Sequence, residues 1–104
     1  MLLPKTVKVG THSYSIKERP TSKMPGRDCL GHCDIGALTI TIDESLPTSR
    51  KVEVLIHECL HAILQGTNLD NEELVVGLLG EALSLFIKQN PTLLRRISTS
   101  LRDA

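Results

Sequence analysis

The stretch VEVLIHECLHAILQ, Val52 to Gln65, constrains the chain more than any other. Its apolar residues recur at helical spacing. Val52, Leu55, Ile56, Cys59 and Ile63 gather on one face of a helix that should run from about Arg50 to Gln65. His57 and His61 fall on the roughly opposite face, with Val54 beside them and Glu58 to one side. Such a helix has two sides to cover. The apolar side needs a sheet or another helix, and the histidine side needs a polar partner.

Within the stretch, His57-Glu58-Cys59-Leu60-His61 reads H-E-x-x-H. Histidines four apart on a helix aim at a common point, which suits chelation of one Zn2+. Glu58 follows His57 directly and cannot easily join the same coordination. It can reach a water on an open metal position, act on it as general base and return the proton to a leaving amine. A third protein ligand is required. Glu72 and Glu73 stand just beyond the next turn. Glu73 is favoured, because Gly77, Gly80 and Ser84 continue from it as a stripe of small residues on one helix side. Glu72 is the near alternative and Glu81 a further one. His12 and His32 have no spacing argument.

The other elements follow from pattern. Thr6 to Ile16 holds two short alternating runs around Gly10, read as one or two strands or a hairpin. Lys17 to Gly31, with Pro20, Pro25 and Gly26, reads as a mobile loop, and His32 to Gly36 as the continuation of its turn. Leu38 to Ile42 (LTITI) alternates strictly and is the clearest strand. Thr48 or Ser49 is placed to cap the histidine helix, and Gly66 to stop it. A second helix should span Glu72 to Gln89, capped by Asp70 or Asn71. Its apolar face would be Leu74, Val75, Leu78, Leu79, Ala82 and Phe86. The glycine stripe on it suggests close approach to the first helix. Asn90-Pro91 ends it and starts a short third helix with Leu93, Leu94, Ile97 and Leu101 on one side.

Composition sets the outer bounds. The 104 residues suffice for one domain, 1–104, with a modest core. Tyr14 and Phe86 are the only aromatics, so that core must come from Leu, Ile and Val. Twelve basic and twelve acidic residues balance, which gives no electrostatic reason to expect nucleic acid. No run is long and apolar enough for a membrane. The N-terminal MLLPK lacks the apolar segment and cleavage site of a secretory signal. Three cysteines, with Cys59 inside the helix, point to a reducing cytoplasm rather than a disulfide framework.

Cys59 reads as a small core residue and Tyr14 as a half-buried strand residue, although its hydroxyl could also serve an oxyanion. Cys29, His32 and Cys33 form C-x-x-H-C, read as loop thiols with a surface histidine. A second zinc site, or a thiolate cap on the first, is the sharper alternative.

Three segments carry a family resemblance: LTITID (Leu38 to Asp43), LIHECLHAIL (Leu55 to Leu64) and EELVV (Glu72 to Val76), with QNP (Gln89 to Pro91) closing the second helix. Together they resemble minimal zinc metallopeptidases of the gluzincin type, similar to small phage-encoded and ImmA/IrrE-like zinc peptidase domains. The resemblance covers roughly the C-terminal two-thirds of the chain. It implies His57 and His61 as zinc ligands, Glu58 as catalytic base and a glutamate of the next helix as third ligand. It also implies a protein or peptide substrate bound along the strand Leu38 to Ile42, and a phage protein working in the host cytoplasm. The expected fold is α+β: a small N-terminal sheet, antiparallel or mixed, packed on the histidine helix, then a Glu-bearing helix and a short C-terminal one. The alternative to a peptidase is a catalytically inactive zinc-binding module that recruits a protein partner through the same strand.

Overall fold

The computed structural model describes residues 3–20 and 29–103. The fold is α+β, with four strands followed by three helices. Of the alternatives open for this stretch the hairpin is the one formed: β1 (Thr6–Val9) and β2 (His12–Arg19) pair around Gly10, whose φ of +62° supplies a left-handed turn. β2 continues through Lys17 to Arg19, so the sequence-assigned loop starts later than expected. Pro25 and Gly26 lie outside the described residues.

β3 (Gly31–Asp34) corrects the reading of His32 to Gly36 as turn. Its sequence, Gly-His-Cys-Asp, has no apolar period to announce a strand. Pairing with β4 (Thr39–Asp43) makes it one, with Cys33 opposite Ile40 and Gly31 opposite Ile42. The sheet order is β1-β2-β4-β3, and β4 runs parallel to β2, so the sheet is mixed. Both flanks of β4 are therefore occupied. The strand that the resemblance assigns to the substrate is internal, and among the described residues β3 is the outer strand on that side.

α1 (Thr48–Leu64) crosses the sheet. The core joins Ile40 and Ile42 of β4, Tyr14 of β2, and Val54 and Ala62 of α1. The buried line of α1 is thus Val54, Glu58 and Ala62, with Leu55 and Cys59 at its edge. This turns the helix from the expected orientation. Ile63 is exposed, and the histidines lie beside the sheet-facing line rather than opposite it. Pro47 stands at the N-cap with no side-chain cap from Thr48 or Ser49. Gly66, at φ +77°, follows the helix end as expected.

α2 (Glu72–Gln89) has the bounds that its pattern predicts. Asn71, at φ +56°, is its N-cap without a side-chain cap bond. Its orientation is the larger correction. Val76 and Gly80 are its buried residues, whereas Leu74, Leu78, Leu79 and Phe86 are exposed. The small-residue side faces α1. A Cβ on Gly80 would stand 3.7 Å from the His57 Cα, an ordinary contact, and one on Gly77 would meet nothing within 4 Å. Close approach therefore concerns Gly80, while Gly77 borders a cleft. α3 (Pro91–Arg102) begins one residue after α2 and has no buried residue. Among the described residues, no helix is long and apolar enough to cross a membrane.

Gly31 is a close approach between sheet and α1. A Cβ there would collide with Val54 Cγ1 and crowd Glu58 Oε2 at 3.2 Å. Val54 is β-branched and buried, so it has little freedom to yield. Gly31→Ala should destabilise the fold by about 1–3 kcal/mol, as overpacking does, and displace Glu58. Thermal denaturation checks this, and an unchanged Tm would refute the contact.

Candidate metal centre

Consecutive turns of α1 present His57 and His61, and the first turn of α2 presents Glu72 and Glu73 opposite them. The short connection after Gly66 makes this possible, because it returns the chain along α1. His57 Nε2 lies 2.9 Å from Glu73 Oε1, and His61 Nε2 lies 2.8 Å from Glu73 Oε2. One carboxylate thus meets the same nitrogen of both rings. The ligand atoms of His57, His61 and Glu73 all lie within 4.8 Å of one another, so the three can hold a metal ion.

The two glutamates have different places. Glu72 Oε2 lies 2.7 Å from the other nitrogen of His61, Nδ1. A carboxylate on the far side of a ligand imidazole fixes its tautomer and orientation. Glu73 faces the nitrogens that converge, and Glu72 holds one ring from behind. Sequence reasoning weighed Glu72 only as a substitute ligand. Its adjacency to Glu73 was the available signal, since neighbouring helical residues point in different directions.

Burial disfavours the charged form of His61, but the hydrogen bond to Glu72 and the charges of Glu73, Glu58 and Glu72 outweigh it. The net pKa is raised. In the metal-free protein the stabilisation from these contacts is therefore complete below the ordinary imidazole value of about 6.5 and is lost as pH rises through the raised one. Metal binding has the opposite slope, because the proton competes for Nε2. Metal affinity should climb with pH across and above about pH 6.5. Competition titrations over that range check this, and a flat profile would contradict it.

Glu58 is 7% exposed and sits between His57 and β3. Burial raises its carboxyl pKa. His57 and His61 pull it partly back, and Glu73 adds to the rise. A carboxylate held toward the protonated form is suited to taking up and releasing a proton.

Two cavities, of about 420 and 650 Å3, meet at this point, and Cys29, Gly31, His57, Glu58 and Glu73 line both. One extends toward Arg50, Glu53 and Glu81, the other toward His32, Gln65 and Gly66. Gly31 is the participant that sequence reasoning missed. No motif marks it, and its role arises from packing alone.

The remaining candidates fall elsewhere. Tyr14 is fully buried in the core, and its hydroxyl accepts a hydrogen bond from Gln65 Nε2 at 3.3 Å. His12 lies at the start of β2, away from the two cavities. Glu81 lines the first cavity but does not join the metal group. Among the described residues no cysteine joins a metal-holding group. The Cys33 thiol is pushed up to about 11 by burial first, then by the charges of Glu58, Cys59 and Asp34. In the metal-free protein it stays a thiol at neutral pH. Burial and Glu58 likewise raise Cys59. Cys29 donates to the Gly31 carbonyl at 2.8 Å.

Comparison with known proteins adds no identity: no family model, no curated protein and no solved structure matches the chain.

Proposed function

We propose that the chain is a zinc-dependent metallopeptidase of the gluzincin type, acting on an extended protein or peptide segment. One observation carries this reading. The His57–His61–Glu73 group lies beside a buried glutamate at the junction of two cavities. The donor set suits zinc: two imidazoles and one carboxylate, with ligand atoms close enough to share one ion. His57, His61 and Glu73 would hold it, and Glu72 would orient His61. When bound, the metal supplies Lewis acidity toward a carbonyl oxygen and acidifies water.

The chain's own residues supply the rest. Glu58 Oε accepts the proton of the attacking water and returns it to the departing amine nitrogen. β3, the outer strand among the described residues and the one that sets Gly31 beside Glu58, offers backbone groups to an extended peptide, and the two cavities take residues on either side of the reacting bond. The peptide is thus assigned to β3, because β4 is paired on both flanks.

The rival reading, an inactive zinc-binding module, draws on the same metal group. A closed structural site would use a fourth protein ligand, and the group holds three among the described residues. Zinc-loaded protein should cleave members of a mixed peptide library, and chelation should stop it. Zinc binding without any cleavage would leave the module and remove the peptidase.

A further inference from the structure

Ten of the thirteen exposed large apolar side chains among the described residues lie on α2 and α3. On α2 they include Leu74, Leu78 and Phe86, on the side turned away from α1, whereas Leu85 and Ile87 border a cleft with α1. On α3 they are Leu93, Ile97 and Leu101, the apolar side of an amphipathic helix. A helix that is apolar on nearly every side is normally covered on every side. Here α1 covers one side of α2.

α3 cannot cover the other side of its own α2. Asn90 alone separates the two helices, whereas helices that fold back on each other need a connection of about 2–5 residues. α3 therefore projects, and the radius of gyration is 14.1 Å, against about 13 Å for a compact domain of this size. Leu85 and Ile87 aside, the other eight side chains are about half exposed and present on the order of 600 Å2, at the lower end of the roughly 600–1,000 Å2 that each partner brings to a stable interface. Monomers rarely leave so large an apolar patch open.

We infer that the chain forms a twofold homodimer in which α3 of each copy lies on the outer face of α2 of the other. The arrangement is self-complementary: each copy gives one α3 and receives one, as a closed twofold interface requires. The metal group faces α1 and stays outside the contact.

Sedimentation equilibrium under reducing conditions tests this on the full chain. The wild type should give about twice the 11.4 kDa chain mass at micromolar concentrations. Ile97→Glu and Leu78→Glu should each bring the mass down to one chain. Ile97 is exposed, so its replacement leaves the packing of its own chain intact, and unaltered zinc binding will report that the fold survives. A wild type that is monomeric throughout overturns the inference, as does a dimer that both variants leave unchanged. A monomeric wild type that sediments with anionic vesicles through α3 overturns it in favour of a lipid surface.

Discussion

Glu58→Gln should retain bound zinc and lower peptide hydrolysis by about 10²–10⁴-fold, the range that a positioned acid–base group supplies. The amide keeps the shape of the side chain and its contacts with Val54 and Gly31, but it cannot take the proton. The same substitution should make the metal-free protein more stable at neutral pH. The sign follows from burial. The Glu58 pKa is raised in the folded state, so ionising it there costs stability once pH passes its unfolded value of about 4.3. That cost is absent at lower pH and complete above the raised pKa. The Gln variant should therefore melt a few degrees higher at pH 7 and show no gain near about pH 4. Activity assays with parallel zinc analysis check the first effect, and melting curves of chelated protein check the second. Full activity in the variant would remove Glu58 from the chemistry. A lower Tm would mean that its contacts outweigh its burial.

Removing Glu73 should cost more zinc affinity than removing Glu72. Glu73 reaches Nε2 of both His57 and His61, so Glu73→Ala deletes the carboxylate donor itself. Glu72 touches only Nδ1 of His61. Its loss should cost roughly 10–100-fold, the usual effect of freeing a ligand imidazole from its orienting carboxylate. Zinc competition titrations on the two alanine variants check the order. The reverse order would make Glu72 the ligand and Glu73 the support.

The difference between these glutamates was only half legible in the sequence. Both follow the turn after Gly66, and helical spacing places either near the histidines. The stripe of small residues from Glu73 through Gly77 and Gly80 favoured Glu73, and the packing of Gly80 on the His57 backbone agrees with that side. What spacing cannot supply is the direction of each imidazole, which depends on the partner of its second nitrogen. β3 was less legible still. A strand of Gly, His, Cys and Asp has no alternation to read, and it exists through its pairing with β4. Its pairing places β4 inside the sheet and makes β3, beside Glu58, the outer strand among the described residues.

The sequence by itself determined what depends on neighbours within a few residues. It set the bounds of α2, the break at Gly10, the end of α1 before Gly66, and the placing of His57 and His61 on one helical face. These rest on backbone preference and on the helical repeat, both of which are local. Only the tertiary structure decided which sides of the helices are buried. α1 turns Val54, Glu58 and Ala62 to the sheet, although a simple hydrophobic count favours Val52, Leu55, Ile56, Cys59 and Ile63, of which Leu55 and Cys59 pack against the core. α2 turns its glycine side to α1 and leaves its leucines outside. The physical reason is the same in both. A helix with apolar residues on several sides has several acceptable orientations, and the shape of what it meets selects one. Here β3 over Glu58 and Gly80 against His57 select it, and that choice brings two histidines, two glutamates and a buried carboxyl to one place.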